Sequence, residues 1–185
     1  MPIHKDSQFL RSDKIFLRNL SPEDVTQAYI DWMNDPEVVQ FTESRFSSHS
    51  MASIREFVQR CLGDPDVLLF GIFESASELH IGNIKLGPIN RRHLLGDIGI
   101  IVGRREFWGK GIATEAVSLL RDYAFSEMGL HKLTAGCYST NLGSAKAFEK
   151  AGFALEGRRP KHSKAGNEWV DLLEFGCVNS TAPIE

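Results

Sequence analysis

The chain has 185 residues, 42% of them hydrophobic and 24% charged, a length that fits one globular domain and an apolar content that supports a packed core. This composition excludes a collagen-like, low-complexity or disordered chain. With 21 Lys and Arg against 24 Asp and Glu the net charge is −3, which disfavours a nucleic-acid binder working through a dominant basic surface.

Cys61, Cys137 and Cys177 are odd in number, far apart and never in a CxxC pair, so neither a disulfide framework nor a Cys-rich zinc site is expected. They read as reduced thiols of a cytoplasmic protein. The first eleven residues carry no apolar signal region, and no run reaches the ~18 consecutive apolar residues of a membrane span, so a soluble, unexported chain with no membrane partner is expected. The six histidines show no ligand spacing, and no metal is expected. No repeat, charge block or linker divides the chain. It reads as a single domain over residues 1–185, with loose tails at 1–12 and 178–185.

In chain order, residues 14–18 read as a first strand. Ser21, Pro22, Glu23 and Asp24 supply a helix start: an N-cap residue, a proline suited to the first turn, and acids where the helix dipole favours them. Val25, Ala28, Tyr29 and Trp32 recur at i, i+3, i+4 and i+7, which predicts one helix running to about Asn34-Asp35-Pro36. A second helix is expected from a capping box at Ser53 and Glu56, with Ile54, Phe57, Val58, Cys61 and Leu62 on its face and a stop at Gly63-Asp64-Pro65. Between them, residues 41–46 mix charges with aromatics, as substrate-contacting loops do.

Three strand-like runs at 67–74, 80–90 and 94–102 read as an antiparallel meander. A third helix begins near Gly111, carries Ala113, Ala116, Val117, Leu120 and Ala124 on one face, and ends at Gly129. A strand over 132–138 follows, then a short helix over 141–151 stopped by Gly152. Two last strands, 153–159 and 168–177, flank a turn at Lys164-Ala165-Gly166-Asn167. The sum is an α/β domain: a mixed sheet of about seven strands with about four helices on its faces.

Residues 97–114 are the most informative stretch, an apolar strand that runs through a glycine-bearing turn directly into an amphipathic helix. Glycine lets a backbone approach an anion, and the first N–H groups of a helix are unpaired at the positive end of its dipole. The segment is therefore a candidate phosphate cradle, against the plainer reading of a strand-to-helix turn. It is not a Walker A loop: Gly103 to Gly109-Lys110 is one residue too long, and Gly111 stands where a hydroxyl belongs. Nor is it a Rossmann GxGxxG, since Thr114 occupies the third glycine position.

Trp108-Gly109-Lys110-Gly111-Ile112-Ala113-Thr114-Glu115-Ala116 resembles the acetyl-CoA signature of the GNAT N-acetyltransferases, in the form of the RimJ/RimL-like branch. Gly111 and Ala113 meet the family pattern R/Q-x-x-G-x-G/A, with Trp108 where Arg or Gln is usual. A second block, from Thr140 and Asn141 through Ser144, Phe148 and Lys150 to Gly152-Phe153, is similar to the family's N-x-x-S/A-x-x-x-Y/F-x-K-x-G-F. Leu130-His131-Lys132-Leu133 stands where the family's fifth strand begins, and residues 32–38 resemble the end of its first helix.

The resemblance implies a GNAT-like, mostly antiparallel sheet splayed between strands four and five, with acetyl-CoA as co-substrate. The pantetheine arm would lie in the splay against Ile100, Ile101 and Val102, with Asn141 and Ser144 beside it. The pyrophosphate would rest on the backbone N–H groups of Gly109, Lys110, Gly111, Ile112, Ala113 and Thr114, with Trp108 a further cofactor contact. Lys110 then serves either as added charge at the rim or as an ordinary solvated side chain. Phe148 and Lys150 stand where the family contacts the distal part of CoA, although helical spacing alone makes Phe148 a core residue.

Acetyl transfer to an amine needs a neutral amine, a stabilised oxyanion and a proton for the departing thiolate. Many members have a Tyr acid where this chain has Phe148; Ser144 resembles the hydroxyl that the RimJ/RimL-like branch places near the thiol sulfur and is the candidate acid, Tyr138 is a second hydroxyl, and Asp97, where related enzymes carry a carboxylate, is the candidate base. Glu43, Arg45 and His93 are candidates for acceptor contact, with Glu43 and His93 as alternative bases.

The acceptor is expected to be a small-molecule amine, in first place an amino-sugar nucleotide. Residues 32–46 resemble enzymes acting on such sugars. Residues 156–168 also hold a surplus of two positive charges, to which Arg45, Arg91 and Arg92 add. Solvated hairpin charges explain that surplus equally. A protein N-terminus is the alternative acceptor. A non-catalytic acyl-CoA-binding module is the alternative from another class, kept open by Trp108 and Phe148 and opposed by the retained Asn141, Ser144 and turn. A homodimer is left open.

Overall fold

The structure, a computed structural model, describes residues 10–180. In chain order it forms β1 (Leu10–Arg11), β2 (Ile15–Asn19), α1 (Gln27–Asn34), α2 (Pro36–Val39), α3 (Met51–Gly63), β3 (Leu68–Glu74), β4 (His80–Asn90), β5 (Leu95–Val102), α4 (Ile112–Ser126), β6 (Lys132–Tyr138), α5 (Leu142–Lys150), β7 (Ala154–Ala165) and β8 (Glu168–Val178). The strands make one eight-stranded sheet in the order β1-β2-β3-β4-β5-β6-β8-β7. Every neighbouring pair is antiparallel except β5 and β6, which the α4 crossover leaves parallel.

The expected meander is β3-β4-β5. The strand and helix counts each exceed expectation by one. β1 places Leu10 and Arg11 opposite Leu17 and Phe16 and is too short to show a period. α2 is a four-residue piece started by Pro36, with the Asp35 carboxylate accepting from the Glu37 N–H at 2.9 Å.

The expected loose tails over 1–12 and 178–185 give way at their inner ends. Leu10–Arg11 is a strand, Val178 pairs with Lys132, and Asn179 is buried, its Nδ2 donating to the Leu130 carbonyl at 3.1 Å. The rest of both segments, 1–9 and 181–185, lies outside the described residues.

Three other expectations are corrected. Ser21 starts a single 3-10 turn rather than a long helix, because the Asp24 carboxylate is taken by the Ser21 N–H at 2.8 Å and by the Arg18 guanidinium at 2.6 and 2.8 Å. Val25 is then extended, and Thr26 caps α1. α3 starts from Ser50, whose N–H donates to Ser53 Oγ at 2.9 Å, so Ser53 and not Glu56 closes the capping box. β7 runs on past Arg159 through Pro160, which an edge strand tolerates.

The sheet separates two apolar layers. Ile84, Leu86, Ile98, Leu133 and Phe175 face Ala116, Val117 and Leu120 of α4 and Phe148 of α5. On the other face Phe16, Leu69 and Phe73 pack against Tyr29 and Trp32 of α1 and Ile54 and Val58 of α3. Trp32 lies so close to Gly103 that a Cβ there would stand 2.1 Å from the indole. That approach seats α1 and α2 over the end of β5. Among the described residues no helix is long and apolar enough to cross a membrane, and no three His, Cys, Asp or Glu side chains are grouped to hold a metal ion.

Candidate active site

The site begins as a fork in the sheet. β5 and β6 pair only from Leu95 opposite Lys132 to Ile98 opposite Ala135. Beyond that the outer edges stay bound, β5 to β4 as far as Val102 opposite Gly82 and β6 to β8 as far as Tyr138 opposite Leu172. The inner edges separate. The first residue past the last pair is glycine on both strands, Gly99 and Gly136, and a Cβ at Gly99 would meet nothing within 4 Å.

From the fork a cleft of about 770 Å³ runs toward the start of α4. Its walls include Ile100, Ile101 and Val102 of β5, Trp108, Gly109, Gly111 and the first turn of α4, and Asn141, Ser144, Phe148 and Lys150. The sequence candidates for the cofactor are thus brought together, with the exception of Lys110, which is exposed and holds its ammonium 5.3 Å over the Phe107 ring.

The turn owes its shape to backbone conformation. Gly109 and Gly111 have φ of +72° and +82°, which L-residues avoid, while space for a Cβ exists at both. The first intrahelical bond of α4 runs from the Glu115 N–H to the Gly111 carbonyl at 3.0 Å, so the N–H groups of Ile112, Ala113 and Thr114 precede it and remain available to an anion. The indole N–H of Trp108 donates to the Val102 carbonyl at 2.7 Å, closing the end of β5 while its ring lines the cleft.

Across the cleft, Asn141 caps α5 by accepting from the Ser144 N–H at 3.1 Å. The half-buried Ser144 has no side-chain partner among the described residues. Phe148 is both wall and core, packed on Phe153 and Phe175 with ring centroids 5.7 Å away.

Asp97 and Thr134 face each other one pair before the strands separate, on the α1 and α3 side of the sheet. The Thr134 hydroxyl donates to Asp97 Oδ2 at 2.7 Å. Desolvation lifts the Asp97 carboxyl above its ordinary value, countered in part by that hydrogen bond and by Lys85. Tyr138 is buried, and its hydroxyl is committed: it donates to Glu43 Oε1 at 2.8 Å and accepts from Arg45 at 3.0 Å. Glu43 and Arg45 therefore bind the protein itself. His93 is exposed in the turn before β5, its N–H on Asn90 Oδ1 at 3.0 Å. It stands at the far end of β5 from the cleft, roughly 20 Å away along a strand of this length.

Residues that sequence reasoning missed are the α2 side of the cleft (Glu37, Val38, Gln40), the thiol of Cys137 and Lys14. Burial pushes Cys137 up to about 11, so it stays a thiol at neutral pH. Lys14 comes 4.0 Å from Glu115, and its ammonium borders Gly111, a position set by sheet pairing that no local pattern announces.

The model for the "Acetyltransferase (GNAT) domain" family matches residues 14–154. The probable N-acetyltransferase YjcK of Bacillus subtilis is 41% identical over 127 residues, 68% of this chain and 69% of that protein. Among solved structures, the ribosomal-protein-S5-alanine acetyltransferase of Vibrio fischeri superposes with a TM-score of 0.83 at 22% identity, covering 96% of this chain and 100% of that one. Spermidine N-acetyltransferase of Vibrio cholerae, solved with CoA and spermine, gives 0.81 at 22% identity over 91% of this chain and 98% of that one. With its forked sheet and glycine turn leading into α4, the chain belongs to the GNAT family of N-acetyltransferases.

Proposed function

We propose that this enzyme transfers the acetyl group of acetyl-CoA to a primary amine by direct attack in a ternary complex within the fork. The observation that carries the reading is the fork itself. It leaves the inner backbone edge of residues 99–102 without a strand partner, with the Val102 carbonyl taken by the Trp108 indole, at the end of a cleft that begins at unpaired helix N–H groups. An extended, amide-bearing arm can add to such an edge as a strand would, and a pyrophosphate suits the helix start. The residues present thus fit acetyl-CoA, which supplies an activated thioester.

On this reading Asp97 takes the proton of the incoming amine. It is not itself on the cleft wall but lies two residues from Gly99, roughly 7 Å along the strand, and the proton reaches it through water. Its raised pKa makes it a stronger base than an ordinary carboxylate. The Ser144 hydroxyl, on the first turn of α5, hydrogen-bonds the departing sulfur and relays to it a proton that water returns to the hydroxyl, so the serine ends the step unchanged.

The acceptor we favour is a primary amine without a diphosphate, of the polyamine or protein N-terminus class. Several of the cations that would hold the diphosphate of a nucleotide sugar have partners within the protein: Arg91 with Asp66, Arg158 with Asp171, Arg159 with Glu174, and Arg45 with Tyr138. Two structural relatives bear names for a polyamine and a ribosomal protein, which agrees with this class.

The test is thiol release from acetyl-CoA with spermidine, N-terminal peptides and UDP-amino sugars, beside calorimetric CoA binding. Release with the first two supports the reading, and release with the sugars alone overturns the acceptor class. CoA binding without release from any amine supports a non-catalytic module, and absence of CoA binding overturns the whole reading.

A further inference from the structure

We infer that Arg45 is a positioning residue, a single guanidinium that assembles the acceptor end of the cleft from three segments distant in sequence. The inference rests on the fork being where the amine meets the thioester. Arg45 Nη1 donates to the Thr42 carbonyl at 2.8 Å, to the Gln40 carbonyl at 3.3 Å and to the Tyr138 hydroxyl at 3.0 Å. Its Nη2 donates to the Lys164 carbonyl at 2.7 Å. The first two bonds fold residues 40–45 on themselves, the third crosses to the end of β6, and the fourth crosses to the tip of the β7–β8 hairpin. The guanidinium also lies 4.2 Å from the centroid of Phe46 and 5.0 Å from that of Tyr138.

These contacts set the cleft wall without reaching the cleft. Thr42, whose carbonyl Arg45 holds, lines it. So does Phe41, which meets the Tyr138 ring edge-on at 6.4 Å. Tyr138 in turn is fixed at both lone pair and proton, between Arg45 and Glu43, and its chain neighbour Cys137 forms the opposite wall at the fork. The arrangement requires arginine. Four oxygens in different directions are served by one rigid, always-charged fork, and a lysine ammonium at the end of a flexible stem does not serve them together. The acceptor end is thereby formed before any acceptor arrives, which lowers the ordering cost of binding.

The test compares the native protein with Arg45→Lys and Arg45→Ala. Amide hydrogen exchange, steady-state kinetics with the amine that releases most thiol in the acceptor panel, and calorimetric CoA binding are read together. The expected result is faster exchange in residues 40–46 and 164–168 with α4 and β5 unchanged. Acceptor KM should rise tenfold or more in both variants, with kcat within threefold and CoA Kd within twofold. Unchanged exchange in both segments overturns the clasp, and this arm stands even if no amine is turned over. Faster exchange with unaltered acceptor KM, or full rescue by Arg45→Lys, overturns the positioning role. An equal rise in CoA Kd overturns the division between the two ends. If Arg45→Ala does not fold, Arg45→Lys and Tyr138→Phe carry the same comparison.

Discussion

The two ends of the cleft are built in different ways. The cofactor end is made from one continuous stretch, residues 99–114, and mostly from backbone: a strand edge without a partner, two positive-φ glycines and the open first turn of α4. The acceptor end is held by three side chains, Arg45, Tyr138 and Glu43, which tie the segment after α2 to the end of β6 and to the Lys164 carbonyl of the β7–β8 hairpin. A backbone site tolerates side-chain exchange and fails when its dihedral angles are disturbed. A side-chain site fails one contact at a time, and it is free to differ between enzymes that share the same cofactor.

The division predicts separable losses. Asp97→Asn is expected to lower kcat by about 100-fold or more while CoA Kd stays within twofold, checked by steady-state kinetics and calorimetry. Because partial desolvation raises the pKa of the solvent-accessible Asp97, kcat/KM should rise with pH through a limb lying above the ordinary carboxylate value of about 4, and that limb should vanish in the variant. The sign for stability is opposite. A raised folded pKa means that stability increases as pH falls through it, so the ionised carboxylate disfavours folding at neutral pH. Asp97→Asn should therefore leave Tm equal or higher in a thermal melt.

Ser144→Ala should lower kcat by roughly 10- to 100-fold, again without weakening CoA. At the other end, Gly111→Ala places an L-residue at φ +82°, a strain of about 1–2 kcal/mol. Calorimetry should show CoA binding weakened by about tenfold with acceptor KM unmoved. A matching rise in acceptor KM would break the comparison. Lys14→Ala should give the smallest effect, about two- to fourfold on CoA Kd at low ionic strength, fading at high salt because the ammonium is exposed.

The same division explains what could be read from the sequence. The meander, α4 and the turn before it were legible because strand alternation, helical spacing and positive-φ glycines are local signals. The fork was legible only through the resemblance of the two motif blocks, while Gly99 and Gly136, the first residues past the last pair, were recognisable as its markers only in the structure. The split of the first helix was hidden, since Asp24 is drawn off by Arg18 across a turn. Glu43 and Arg45 were visible as a charged loop, but their partners lie 93 to 119 residues away, so protein-bound side chains read as substrate ligands. His93 was misplaced for a related reason: proximity to β5 in sequence does not say which end of β5 holds the cleft.

The most direct measurement is a crystal structure of the protein grown with CoA. The pantetheine arm should lie between β5 and β6, bonded along the inner edge of residues 99–102, with the pyrophosphate on the N–H groups at the start of α4. CoA bound elsewhere, or a fork closed by continued pairing of β5 with β6, would contradict this placement.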